Sequence, residues 1–387
     1  MRAIRLDRLL LALVLLAAGA STLRAQEPEE EREFRSPWRL SYFPYLSGGA
    51  NDGPVISARV RYWQPAAYED RVTANGALDA ATGFTLRGSR YIGTRFSAPQ
   101  LVEGWRFEAS ALADRQARFG YFGLGNDTEK QDDLVTDATP FVYRVRRTRY
   151  EGSVEATRRI RGPLQVALRA DLASVRFTTL PGPSLFATDF GETLKQDDAA
   201  ARIALVYDTR DVEYNTQRGL LLEAGAQVGS GADGYTRLYS VMRGYLSVRE
   251  GTVVAVRLAG SGMGGTPTLN ARYELPAWED RLQVLGGEQS HRSFDTGRLA
   301  GRGTLFGNLE VRHDLLNLGD LGAVTLLGFV DAGRVFEEES FRLTTEDMEV
   351  GGGGGVALRI LRSTIFTFNF AGGPDGFNFE VGSGWMY

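Results

Sequence analysis

Histidine occurs only twice in this 387-residue chain, and one of the two, His291, stands two positions before Ser293. A histidine base beside a serine hydroxyl is the pair that ester cleavage needs, so His291-x-Ser293 is the arrangement to weigh for catalysis. Between them is Arg292, whose planar guanidinium presents five donors in a fixed fork, and Phe294 follows. Two acidic residues downstream, Glu310 and Asp331, are of the type such a fork grips. With two histidines and no cysteine the chain lacks the donors of a transition-metal centre. No metal and no other cofactor is expected. The glycine run 351–355 lacks the Lys-Ser/Thr of a phosphate loop; it reads as a strand that bends or is closely approached.

These residues need elements to hold them, and the N-terminus sets the compartment. Arg2, Arg5 and Arg8 precede an apolar run, Leu9 to Ala18, that is too short to span a bilayer and ends in small residues. Residues 1–25 therefore read as a secretory signal peptide, with cleavage after Ala20 or Ala25. Removal of residues 1–20 takes away three Arg and one Asp and moves the formal charge from -4 to about -6. Nothing favours nucleic acid as a partner. Residues 26–36 are too few for a domain and too acidic for a core, and are expected to be a linker. Lack of cysteine excludes a disulfide-stapled domain, and no later stretch approaches the roughly 20 apolar residues of a membrane helix.

Strand alternation decides between a soluble β-protein and an outer-membrane barrel. Leu164, Val166, Leu168, Ala170 and Leu172 share one face, while Gln165, Arg169 and Asp171 share the other. Leu305, Leu309 and Val311 oppose Thr304, Asn308, Glu310 and Arg312 in the same way, and Val324, Leu326 and Val330 oppose Thr325 and Asp331. Such runs are longer than the average strand of about six residues, and suit a tilted membrane strand of about ten. The pattern predicts sixteen strands, among them 69–79, 82–98, 199–208 and 376–385. If the first starts in the periplasm, the long connections 119–140, 179–198, 264–302 and 336–347 all fall outside. Long outer loops and short inner turns are what such barrels have.

Several segments carry a family resemblance. "LPAWEDRLQVLGGEQSHRSF" leading into "GNLEVRHDL" resembles the sixth extracellular loop and following strand of the bacterial surface antigen superfamily, the BamA/TamA type of outer-membrane protein. The family motif Val/Ile-Arg-Gly-Phe/Tyr is His291-Arg292-Ser293-Phe294 here, with Arg and aromatic kept and Ser in place of Gly. "GFVDAG" (328–333) is similar to the family's Phe-x-Asp-x-Gly strand motif, and "FNFEVGSGW" (377–385) to its closing strand; "YFGLGNDT" and "YDTRDVEYNTQRG" also resemble family segments.

The resemblance implies an all-β fold, a 16-stranded antiparallel transmembrane barrel over residues 37–387, with the long sixth loop folded into the lumen. A barrel of that size has a lumen too wide for side chains to fill, and by strand parity Glu310 and Asp331 face it. The family's arrangement implies that Arg292 seats the loop on those two acids, with Phe294 beside it. Ser293 raises the question of whether the tip needs a positive φ, which Ser tolerates poorly. Phe377, Phe379, Gly382 and Trp385 would be the assembly signal of the closing strand. The family's soluble POTRA modules are not expected ahead of the barrel.

The functional expectation is a protein of the bacterial cell outer membrane, with outer-membrane lipid and lipopolysaccharide around it and periplasmic client proteins or assembly machinery as partners. Its work would be protein assembly and insertion, or translocation. The rival is a passive channel or structural surface barrel plugged by its loop. A third class is a lipid hydrolase, since His291-x-Ser293 is similar to the His-x-Ser of lipid A deacylases. That pair belongs on a strand near the outer leaflet, whereas this one lies in a loop, and no enzymatic activity is expected. The acidic groups Asp127, Glu129, Asp132, Asp133 and Asp137, then Asp189, Glu192, Asp197 and Asp198, then Glu337 to Glu339, read as solvated loops, because no calcium-loop spacing appears. Their other use would be to hold divalent cations beside lipopolysaccharide.

Overall fold

The computed structural model describes residues 36–49, 53–278, 282–287, 289–337, 344–361 and 363–387. The expected signal peptide, the expected linker up to residue 35 and residues 338–343 of the last acidic loop lie outside the described residues. Sixteen antiparallel strands form one sheet: β1 (Arg39–Gly49), β2 (Gly53–Pro65), β3 (Ala74–Phe84), β4 (Arg90–Val102), β5 (Trp105–Gly120), β6 (Arg144–Arg161), β7 (Leu164–Thr179), β8 (Thr193–Asp208), β9 (Gly219–Gly229), β10 (Tyr235–Arg249), β11 (Thr252–Gly265), β14 (Gly303–Asn317), β15 (Gly322–Phe336), β16 (Glu349–Ile360), β17 (Thr364–Gly373) and β18 (Gly376–Ser383). Two short strands, β12 (Glu274–Leu275) and β13 (Leu282–Gln283), pair with each other outside this sheet. Helices α1 (Leu185–Phe190) and α2 (Leu269–Arg272) lie in connections. Each strand of the large sheet neighbours the next in sequence, so the order is a meander. Its two ends, β1 and β18, come within contact distance, yet no ladder joins them among the described residues.

The two faces follow the alternation. Leu168 and Leu172 are exposed on one face, as are Leu309 and Val330 on other strands; on the opposite face Arg202, Glu223, Arg257, Glu310 and Asp331 are buried. A sheet with its oil outside and its charges inside suits a hydrocarbon surround, since from β2 to β17 the strands are laddered on both sides and the polar face is turned away.

Four strand expectations need correction. The third and fourth strands sit several residues later than 69–79 and 82–98, because 66–73 closes a turn in which Ala66 N donates to Thr73 O and Ala67 N to the Asp70 side chain. Strand β8 begins at Thr193, not 199, so Asp197 and Asp198 belong to the ladder and not to a solvated loop. Asp198 turns inward and accepts from Tyr235 Oη at 2.8 Å and Gly231 N at 3.0 Å; Asp197 turns outward and accepts from Ser174 Oγ at 2.6 Å. The closing strand ends at Ser383, because Gly384 adopts a positive φ of 86° and turns the chain. Trp385 is thereby off the strand and does not share the outward face of Phe377 and Phe379, which are exposed.

Candidate functional site: the loop tip and its acid pair

Segment 266–302 joins β11 to β14, and its described residues lie against the inner face. Thr268 caps α2 by accepting from Ala271 N, which starts the segment's descent. Arg237 then donates to Ala271 O and Arg202 to Ala277 O. Trp278, 2% exposed, is held at both ends: its backbone N–H donates to Glu223 at 2.6 Å and its indole N–H to Thr157 Oγ1 at 3.1 Å. Deeper in sequence, Arg257 donates to Gln289 O at 2.7 Å. The strands thus meet the segment's backbone carbonyls with charged donors, which satisfies groups that a loop against a sheet would otherwise bury unpaired.

At the tip, Arg292, Glu310 and Asp331 are each 1% exposed. Arg292 donates from Nε to Asp331 Oδ2 at 2.9 Å, from Nη2 to Asp331 Oδ1 at 2.8 Å, and from Nη1 to Glu310 Oε2 at 2.5 Å; its backbone N–H reaches Asp331 Oδ2 at 3.0 Å. The guanidinium carbon sits 3.4 Å from the centroid of the Phe329 ring. Ladder geometry prepares this. Asn308 is opposite Asp331 across β14 and β15, and its amide donates to Asp331 Oδ1 at 2.8 Å and to Ser290 O at 2.6 Å. Glu310 keeps its second oxygen for Arg312 Nε at 2.8 Å, and Arg312 in turn donates to Tyr387 O at 2.8 Å. The charges therefore run Asp331, Arg292, Glu310, Arg312 in one chain of contacts. Each member has at least one charge-assisted partner, which is what makes a buried ionic group tolerable, although Arg312 Nη1 is buried without an acceptor.

Phe294 is buried beside the same tip, its ring 4.4 Å from that of His291. Ser293 has a negative φ, since Asp347 and Leu361 are the non-glycine residues with positive φ among the described ones; the expected backbone difficulty does not arise. Its side chain occupies a notch in the sheet. A Cβ on Gly351 or on Gly373 would lie 2.2 Å from Ser293 Oγ.

The His291–Ser293 pair has the right contact for chemistry and the wrong surroundings. Ser293 Oγ lies 3.0 Å from His291 Nδ1, and His291 Nε2 lies 3.1 Å from Glu349 O. Burial pushes the imidazole below its ordinary range, against the opposing pull of the Asp331 carboxylate. Both side chains are 3% exposed or less, and Ser293 Oγ is pressed against strand backbone. The hydroxyl is covered in this packing.

Sequence reasoning named the tip and missed its support. Trp278, Glu223, Arg202, Arg257 and Asn308 hold the segment, and Asn378 on β18 donates to Arg292 O at 3.0 Å. The signal was present as charged residues at inward positions of consecutive strands. Of the closing-strand residues, Phe377 and Phe379 flank Phe370 at 6.1 and 4.9 Å, and Gly382 lies on the inner face opposite Thr367. Trp385 instead points inward, its indole donating to Asn215 Oδ1 at 2.9 Å under the Arg312 guanidinium.

Comparison with known proteins now fixes the family. The model of the Omp85 superfamily domain matches residues 55–384. The chain belongs to the Omp85 superfamily. Among solved structures, the fold is similar to that of BamA from Haemophilus ducreyi lacking POTRA domains 1-3, with a TM-score of 0.58 at 11% identity over 90% of this chain and 70% of that one. It is also similar to CdiB from Escherichia coli, TM-score 0.58 at 11% identity over 89% and 62%, and to CdiB from Acinetobacter baumannii, TM-score 0.52 at 12% identity over 88% and 59%. The chain thus spans less than two thirds of either CdiB structure. A search of curated proteins found no match. This Omp85 chain is a protein of the bacterial outer membrane, and the outward oil of its sheet is its lipid surface.

Proposed function

We propose that this Omp85 chain closes into a barrel with segment 266–302 plugging its lumen, and that it works in outer-membrane protein insertion or translocation through the β1–β18 seam. The observation that carries this reading is the seam: every other neighbouring pair in the sheet has a ladder, whereas β1 and β18 touch without one among the described residues. Pro44 on β1 has no N–H to donate, Gly382 weakens the end of β18, and Gly384 turns the chain out of it. In this reading Arg292, Phe294, Glu310 and Asp331 seat the plug, so that opening occurs at the side and not through the centre.

The test is the folding of a second barrel protein into liposomes that contain the purified chain. Acceleration is expected, and a disulfide engineered between β1 and β18 should abolish it, with recovery on reduction. If the chain never accelerates folding, the seated plug points instead to a passive or structural barrel. If the locked form works as well as the open one, insertion does not use the seam.

Orientation is tested separately. With the long connections outside, Thr188→Cys on α1 should react with a membrane-impermeant maleimide on intact cells, and Ser247→Cys, beside the short turn between β10 and β11, should react only after lysis. The reverse pattern overturns the assigned orientation.

A further inference from the structure

On the outward face of β4 to β8, at the end near the long connections, the lipid surface changes character. Arg90 on β4 lies opposite Arg115 on β5; Arg115 lies opposite Thr148 on β6, with Arg146 one outward position further along the same strand; Thr148 lies opposite Arg176 on β7, which lies opposite Lys195 on β8. Continued the other way, the same register line meets Phe84 on β3 and Ile56 on β2, both apolar and exposed. Five cations therefore stand on five adjacent strands and stop at β3. Strands about 4.8 Å apart put the row across roughly 20 Å.

Like charges placed directly opposite one another in a ladder oppose each other, and little in the protein offsets these. Among the described residues, Arg90, Arg115, Arg146 and Arg176 form no ion pair, and Lys195 has only Asp197, at 3.4 Å. The Nε atoms of Arg115 and Arg146 are buried with no hydrogen-bond acceptor. The row asks for an anion with several acceptors.

One outward step toward the membrane centre, the same five strands form a groove of about 740 Å³. Its floor is small, with Ala111, Ala113 and Gly152, and Ile92, Tyr150 and Leu172 stand around it. We infer that this face binds a phosphorylated, multi-chain glycolipid of the outer leaflet, its phosphates on the row from Arg90 to Lys195 and an acyl chain in the groove below. Arginine forks take phosphate oxygens in pairs, and the width of the row matches a headgroup with separated phosphates better than a single phosphodiester. The inference rests on the long connections facing outside, which the Thr188 and Ser247 labelling reads independently.

The test uses the full chain in phosphatidylcholine nanodiscs, with three probes: bisphosphorylated lipid A, the same lipid after enzymatic dephosphorylation, and inorganic phosphate. The wild-type protein should bind the phosphorylated lipid at least about tenfold more tightly than the dephosphorylated one, given the attraction of each basic residue to an anionic surface. Arg90→Gln, Arg115→Gln, Arg146→Gln and Arg176→Gln together should remove that preference, and Gly152→Leu should weaken lipid binding with the charges intact. Equal binding of the two lipids by the wild-type protein overturns the proposal, as does displacement of the lipid by an equal concentration of inorganic phosphate. The comparison of lipids on the wild-type protein decides the matter even if the fourfold variant does not fold.

Discussion

Arg292→Ala should release segment 266–302 from the inner face while leaving the sheet folded. The substitution removes three side-chain donor contacts at once and leaves Glu310 and Asp331 buried on adjacent strands without their shared cation. The backbone N–H at position 292 would survive in Ala, but it holds Asp331 alone. Loss of one partner from a buried charged group costs about 3 to 5 kcal/mol, which is comparable with the whole local stability of a loop. Asn308 and Arg312 partly offset the loss, since each still donates to one of the two carboxylates. The expected readouts are larger single-channel conductance in planar bilayers and faster protease cleavage within 297–303. The heat needed to unfold the barrel in detergent should change little, because the ladders of β14 and β15 are intact. Wild-type conductance together with wild-type cleavage would show that Arg292 does not hold the plug.

Arg292→Lys separates charge from geometry. A lysine ammonium keeps the charge but cannot reach both oxygens of Asp331 and one of Glu310 from fixed directions, nor stack on Phe329 as a plane does. An intermediate conductance would assign part of the seat to the fork itself.

Why the tip was legible and its surroundings were not follows from how each is encoded. Period-two alternation places Glu310 and Asp331 inward from a dozen residues of local sequence, and the loop's polar length demands a place to go. Strand β8 was misjudged because "LKQDDAA" reads as polar loop when its two faces are averaged. Separately, Asp198 is an inner-face acceptor for Tyr235 and Asp197 an outer-face partner of Ser174. Trp278 was invisible for a different reason. Its value comes from Thr157, Glu223 and a guanidinium, that of Arg106 at 4.8 Å, which are far apart in sequence and meet only in the folded chain. Trp385 looked like the next outward residue of a strand, and a single glycine conformation at Gly384 reversed it.

The departure of the tip from its family motif leads to the last expected result. Where the family has glycine the chain has Ser293, and the sheet answers with glycines of its own: Gly351 on β16 and Gly373 on β17 are the two positions whose Cβ would fall 2.2 Å from Ser293 Oγ and 2.7 Å from Ser293 Cβ. A methyl group cannot share that space, and β16 cannot yield, because it is laddered to β15 and β17. Gly351→Ala should therefore lift the tip, weakening the Arg292 contacts and reproducing much of the conductance and protease phenotype of Arg292→Ala. Overpacking of this kind costs about 1 to 3 kcal/mol. Ser293→Gly alone should be mild, since it empties a notch and loses one hydrogen bond to His291. Combined with Gly351→Ala it should restore most of the closed state, the new methyl taking the place of the serine side chain and His291 Cε1, 3.0 Å from it, giving by a few tenths of an ångström. Gly353→Ala is the contrasting control: its Cβ would lie 1.9 Å from Phe370 O, a backbone atom of the neighbouring strand, so Ser293→Gly should not rescue it. If Ser293→Gly rescues neither variant, or rescues both alike, the glycines of β16 serve the sheet and not the loop, and the serine for glycine exchange at the tip is unconnected to the run 351–355.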